Sequence, residues 1–261
     1  MSSQRIRFSV EDGVARIVLD RPDAANAFDR QLSAELRGAA VRCDTDPAIR
    51  AVLLTGTGRF FSAGGDLSAF AEAEHPSRLL FDLTHDIHAA VAHFHAMAPP
   101  VVVAVNGTAA GGGFSLCLGG DLVLAARSAK LTMGYHKVGL SPDGLSSYFL
   151  PRLVGLRRAQ ELMLTGRVLT AEEAADWGLV TRVVDDDALE DAARALAAEL
   201  AAASTPALGA AKRLLTTTFG RSLAEQGDLE ARAIAGLADT PDGREGIRAF
   251  VEKRRPRFGE A

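Results

Sequence analysis

Val101-Val102-Val103-Ala104-Val105-Asn106-Gly107-Thr108-Ala109-Ala110-Gly111-Gly112-Gly113-Phe114 is the stretch that decides the fold. Its first five residues are apolar without alternation, the pattern of a strand covered on both faces in a parallel sheet. Pro99-Pro100 stops whatever precedes it, and residues 114–118 read as a helix after the glycine triplet. A strand that passes through glycines into a helix lets backbone approach a ligand, and the first helical turn leaves N–H groups unpaired. The stretch therefore reads as an anion or oxyanion site.

The same alternation extends outward on both sides. Residues 6–10 and 14–19 are β-branched runs around Glu11-Asp12-Gly13 and read as a hairpin. A helix is expected over 29–43 and a buried strand over 51–56. Over 78–96 a second helix carries Leu80, Leu83, Ile87, Val91 and Phe94 on one stripe. Residues 122–126 read as another strand. Strands alternating with helices imply an α/β body with partly parallel strands and right-handed crossovers.

From about residue 157 the pattern reads as helices alone, rich in Ala, Leu, Arg and Glu. Thr170-Ala171-Glu172-Glu173 is a capping-box pattern for a helix ending near Trp177-Gly178. Further helices are expected over 188–203, 206–218, 221–238 and 242–253. The division drawn is an α/β core over 1–195 and a helical region over 196–261.

Net charge is −4, from 29 basic and 33 acidic residues. Only Lys253-Arg254-Arg255-Pro256-Arg257 concentrates positive charge, too little for a nucleic-acid partner but enough to meet one phosphorylated ligand. Cys43 and Cys117 lie in apolar stretches without metal-ligand spacing and read as buried, reduced thiols. Met1-Ser2-Ser3-Gln4-Arg5 runs straight into the first strand, and 101–105 is too short to span a bilayer. The expectation is a cytoplasmic protein without a membrane partner. His85, His88, His93 and His95 share one helix but lack a Cys or helical Glu partner, so no metal is expected. A structural role is the reading for His88.

Nucleotide motifs fail on spacing. The dinucleotide fingerprint starting at Gly111 needs glycine where Leu116 stands, and no Gly-Lys-Ser or Gly-Lys-Thr exists for a phosphate loop. The serine-hydrolase elbow needs glycine at Cys117. A second glycine turn, Phe60-Phe61-Ser62-Ala63-Gly64-Gly65-Asp66-Leu67, follows the strand 51–56. Two such turns, each contributing one N–H, make the geometry of an oxyanion hole.

Together these segments resemble the crotonase superfamily, the enoyl-CoA hydratases and isomerases. The likeness covers nearly the whole chain, from Asp20-Arg21-Pro22 and Asn26-Ala27-Phe28 to Phe250-Val251-Glu252-Lys253-Arg254. It implies the crotonase fold, a spiral of ββα units with a C-terminal α-helical trimerisation region, and a homotrimer or dimer of trimers. It also implies an acyl-CoA thioester substrate, with coenzyme A entering as part of that substrate and no tightly bound cofactor. By the same resemblance the oxyanion donors fall on Gly65 and Gly112. The CoA contacts fall on Ala25, Ala27, Ala63, Asp66, Leu67 and, from a neighbouring subunit, Phe250 and Lys253.

The two glutamates of the family's hydratases match Ser115 and Lys137 here, so the water-adding pair is missing. Ser141-Pro142-Asp143-Gly144 instead resembles the acid segment of the enoyl-CoA isomerases, with Asp143 as the single proton carrier. Read locally, Pro-Asp-Gly is also an ordinary turn. The pocket around Asp143 is expected to draw on Phe61, Gly111, Phe114, Ser115, Tyr135, Val138 and Leu145. Alternatives are a hydratase-like enzyme, an enzyme resembling 4-chlorobenzoyl-CoA dehalogenase with Asp143 as nucleophile, and an inert acyl-CoA-binding protein.

Overall fold

The computed structural model describes residues 4–259. Met1, Ser2 and Ser3, part of the expected leaderless start, lie outside the described residues. Strands β1 (Ile6–Glu11) and β2 (Val14–Leu19) form the expected antiparallel hairpin. Asp12 and Gly13, at φ 48° and 78°, close it in the left-handed region that suits a two-residue turn between twisted strands.

Strands β3 (Ala51–Gly56), β5 (Val101–Val105), β7 (Leu122–Ala126) and β10 (Arg182–Val184) extend the hairpin into a six-stranded sheet of order β1-β2-β3-β5-β7-β10. Every pairing after the hairpin is parallel. A second sheet, β4 (Phe60–Ser62), β6 (Thr108–Ala110), β8 (Lys130–Thr132) and β9 (Val168–Thr170), runs in that order. Three times the chain leaves the large sheet, adds a short strand to the small one and turns toward a helix. β3 and β4 lead to α2 (Leu67–Glu72), β5 and β6 to α4 (Gly112–Leu118), and β7 and β8 to α5 (Ser146–Thr165). These are the ββα units of the crotonase fold.

Helices α1 (Arg30–Thr45) and α3 (Pro76–Ala96) pack on one another. Asp29 caps α1 by accepting from the Leu32 N–H. On α3 the buried stripe is Leu79, Leu83, Ile87, Ala90, Val91 and Phe94. Full burial of a Leu, Ile, Val or Phe contributes roughly 1.5–3 kcal/mol each, so this stripe fixes the helix more than propensity does. Leu79 takes the buried place expected for Leu80, because the stripe winds at 3.6 residues per turn and leaves Leu80 beside the cavity described below.

The region after 157 is not helices alone. β9 and β10 were missed because three residues give no readable alternation, and each is held by a neighbour's register. The capping box of α6 (Ala171–Asp176) forms as expected, with Thr170 and Glu173 bonded reciprocally. Helices α7 (Leu189–Ala202), α8 (Thr205–Thr217), α9 (Leu223–Ala238) and α10 (Pro241–Val251) complete the chain. α7 runs unbroken across residue 195 and packs on β3 and β5. α8 is tied to the body by buried Lys212, whose Nζ donates to the Phe94 carbonyl and to Asp121 Oδ2 at 2.6 Å. α9 has no buried residue, and Ile234, Ile247, Phe250 and Val251 on α9 and α10 are exposed. No helix among the described residues is long and apolar enough to cross a membrane.

Candidate active site

Parallel pairing of β4 with β6, Phe60 opposite Thr108 and Ser62 opposite Ala109, carries the two glycine turns to the same end of the small sheet. The turns touch: a methyl group built on Gly64 would lie 3.0 Å from the Gly112 nitrogen, and one on Gly113 only 2.4 Å from the Ser62 carbonyl oxygen. Gly64 sits at φ 91° and Gly111 at φ 50°, so side chains are excluded there by backbone conformation as well as by space.

The first turn is fixed from outside. The Phe28 N–H donates to the Gly64 carbonyl and the Asp66 N–H to the Phe28 carbonyl, leaving the Gly65 N–H between them without an acceptor among the described residues. Gly112 is the first residue of α4, where helical geometry supplies no partner for its N–H. Both glycines line one cavity of about 600 Å³.

Asp143 lines that cavity and is the only carboxylate in its wall among the described residues. A methyl group on Gly112 would lie 3.7 Å from Asp143 Oδ1, so the acid stands beside Gly112. Tyr135 Oη donates to Oδ1 at 2.5 Å and Thr84 Oγ1 to Oδ2 at 3.4 Å. Ser115 Oγ lies 3.1 Å from Tyr135 Oη and 3.2 Å from the Gly111 carbonyl. Since the phenol's one proton goes to Asp143, the single Ser115 hydroxyl proton is shared between the Gly111 carbonyl, to which it donates, and Tyr135 Oη. Burial first, then the charge of Asp143, push the Tyr135 phenol well above its ordinary value, so it stays a donor.

The turn carrying the acid is strained. Gly144 and Leu145 both have φ 61°, an outlier for leucine that costs on the order of 1–3 kcal/mol. It persists because the Ser146 N–H and Oγ bond the Asp143 carbonyl and the Gly144 N–H donates to His88 Nε2 at 3.0 Å.

Of the expected pocket residues, Gly111, Tyr135 and Val138 line the cavity, and Ala63 and Leu67 do too. Phe61 and Phe114 do not: both are fully buried in the core beneath the glycine turns. Ser115 is fully buried one layer behind Tyr135, and Leu145 packs against the core. The wall comes instead from Phe28, Phe70 and α3, with Leu80, Phe81, Thr84, Ile87 and His88. Their signal was available in the helical spacing of 80, 84 and 87, which borders the buried stripe.

The segment 25–27 is shaped by Asn26, fully buried, whose Nδ2 donates to the Thr57, Phe60 and Phe61 carbonyls. Ala25 and Asn26 both have φ 52°, and the Ala25 carbonyl accepts from the Ala63 N–H. The Asp66 carboxylate is committed within the chain: Oδ1 caps α2 and Oδ2 meets Arg21 at 2.7 Å. Phe250 and Lys253 lie on the exposed end of α10 and after it. A further groove, of about 770 Å³ between α1, α2 and α3, carries neither glycine amide nor Asp143.

The four histidines of α3 serve separate partners. His85 stacks on Phe81, His93 meets Asp44 at 2.8 Å, and His95 lies edge-on to Tyr148 and Phe149. Among the described residues no group of three or more His, Cys, Asp or Glu is placed to hold a metal ion.

A family model described as enoyl-CoA hydratase/isomerase matches residues 9–261. The chain belongs to the enoyl-CoA hydratase/isomerase family. It thereby stands in the crotonase superfamily, as its ββα units and paired glycine turns require. The 1,2-epoxyphenylacetyl-CoA isomerase of Escherichia coli strain K12 is 40% identical over 253 residues, covering 95% of this chain and 96% of the relative. The carnitinyl-CoA dehydratase of Citrobacter koseri is 36% identical, covering 97% and 98%. Among solved structures, the enoyl-CoA hydratase of Bacillus anthracis superposes with a TM-score of 0.93 at 32% identity, covering 99% of this chain and 100% of that one. Members of this family are enzymes that act on CoA thioesters.

Proposed function

We propose that this chain is an enoyl-CoA isomerase that moves a 3,4 double bond to the 2,3 position of an acyl-CoA thioester. The observation that carries the reading is one carboxylate, Asp143, the only one in the cavity wall among the described residues, placed beside Gly112 in the cavity that both glycine amides line. The thioester oxygen accepts from the Gly65 and Gly112 N–H groups, which lowers the energy of the dienolate formed when a proton leaves the carbon next to the carbonyl. Asp143 takes that proton and returns it two carbons away. Atoms and electrons balance without a co-reactant.

The hydratase mechanism needs two carboxylates around one water. Here the matching positions are Ser115, bonded to Tyr135, and exposed Lys137. The CoA portion runs past Ala25, Ala27, Ala63, Asp66 and Leu67, and exposed Phe250 and Lys253 serve a neighbouring subunit's ligand in a homotrimer or dimer of trimers.

A second reading is favoured by the 40% relative and by the rings of Phe28, Phe70, Phe81 and Tyr135 in the cavity wall: ring-expanding isomerisation of an epoxidised arylacetyl-CoA. Both readings use Asp143 and the amide pair. The deciding experiment supplies a 3-enoyl-CoA, a 2-enoyl-CoA, an epoxidised arylacetyl-CoA and 4-chlorobenzoyl-CoA, and follows bond shift, hydration, ring expansion and halide release separately. Asp143→Asn should stop the bond shift by orders of magnitude with little change in thioester binding. Unchanged turnover in that variant removes Asp143 from the reaction, and no turnover of any substrate by the unaltered protein leaves an acyl-CoA-binding protein.

A further inference from the structure

Asp143 sits on a turn that is not held by its own backbone alone. Two side chains one helical turn apart on α3, Thr84 and His88, face the acid turn. Thr84 reaches the carboxylate itself, and His88 Nε2 accepts the N–H of Gly144, the next residue. A peptide N–H only donates, so Nε2 carries no proton and the imidazole is neutral, with its proton on Nδ1. Two consecutive residues at φ 61° follow Asp143, and a methyl group on Gly144 would lie 2.5 Å from the Ser115 side chain. The turn is therefore tight and strained, and the His88 bond closes it from the α3 side.

We propose that His88 is a positioning residue that works only when neutral: by accepting the Gly144 N–H it keeps the Asp143 carboxyl aimed at the amide pair, and its protonation releases the turn. The inference rests on the reading of Asp143 as the proton carrier. Burial holds the His88 imidazole below its ordinary value, opposed by the charge of Asp143 and reinforced by His85 on the same helix. Those are the titratable groups that act on it among the described residues. An imidazolium would set a second N–H against that of Gly144, so the bond is lost on acidification. The neutral state persists through the usual working range, and the release belongs to the acid side.

The test combines kinetics with a spectroscopic readout on the full chain. In a 3-enoyl-CoA assay His88→Leu should lower kcat on the order of 10²-fold with KM nearly unchanged, the loss that follows from misplacing a catalytic group by about 1 Å. His88→Gln should recover most of it, because an amide oxygen accepts the same N–H. The acid limb of kcat should involve one proton fewer in His88→Gln than in the unaltered protein. Independently of any assay, the Gly144 amide proton shift should follow the titration of His88 in ¹⁵N-resolved NMR. Equal kcat in the Leu and Gln variants, or a Gly144 amide that ignores that titration, overturns the proposal. Turnover that survives Asp143→Asn while the amide still tracks His88 overturns the reading of the reaction instead.

Discussion

The Tyr135 hydroxyl donates to Oδ1 of Asp143 across 2.5 Å and, pushed far above its ordinary ionisation by burial and by that carboxylate, does not surrender its proton. One oxygen of the acid is thereby occupied, and Oδ2, with Thr84 at a loose 3.4 Å, is the less tightly held one; under the proposed isomerisation it is the oxygen that would carry the proton. A hydrogen bond to a charged group contributes about 1.5–3 kcal/mol, so Tyr135→Phe should lower kcat roughly 10- to 100-fold with a small change in KM. Steady-state kinetics on a 3-enoyl-CoA read this directly, and an unchanged kcat would mean that the turn alone aims the carboxyl.

Adjacent glycines of the triplet should fail in different ways. A side chain at Gly113 meets the Ser62 carbonyl at 2.4 Å, so α4 must shift and Gly113→Ala should lose about 1–3 kcal/mol of stability, seen as a lower Tm. At Gly112 the nearest atoms are the Phe28 ring at 3.3 Å and Asp143 Oδ1 at 3.7 Å, a side that opens on the cavity. Gly112→Ala should fold with nearly unaltered Tm yet lose turnover. Equal Tm losses would contradict this division of labour.

The run at 101–105 and the glycine triplet made the α/β order and the amide site legible, because an unbroken apolar strand followed by glycines has few other uses. The place of Asp143 in the cavity wall was legible only through its motif, since Pro-Asp-Gly by itself is a turn. The pocket wall was not legible: Phe61 and Phe114 look equivalent to Phe28 and Phe70 in sequence, and only tertiary packing puts the first two in the core and the last two against the cavity. Nor were β4, β6, β8, β9 and β10, whose three residues apiece are defined by partners distant in the chain. The Gly144–His88 bond joins residues 56 positions apart, and no spacing rule announces it.

Cys43 and Cys117 are both buried and free. Loss of hydration pushes the Cys43 thiol up to about 12 and that of Cys117 higher still, and the thiolate is the reactive form. Neither should react with an aromatic disulfide reagent at pH 8 in the folded protein, and both should react once denaturant unfolds it. Fast labelling of Cys43 without unfolding would show that α1 opens locally.

Asp66 links the ligand side of the molecule to its acid stability. Its Oδ1 accepts from the Ser68 and Ala69 N–H groups and so starts α2, which carries Leu67 and Phe70 to the cavity, while Oδ2 pairs with Arg21 at 2.7 Å. Burial acts to raise this carboxyl, but the Ala69 N–H and the Arg21 guanidinium outweigh it and hold it below its ordinary 3.8. In the folded state Asp66 therefore binds fewer protons than in the unfolded chain over the interval beneath 3.8. Stability then rises with pH there, is fully present above it, and is lost as pH falls through the lowered folded value. Asp66→Asn keeps a good helix cap but removes the charge. The variant should melt below the unaltered protein at pH 6, and the gap should close as the pH is taken down from 4 toward 2.5. Thermal melts across that series decide the matter, since a gap that stays constant with pH would mean that the Arg21 pair contributes nothing through ionisation.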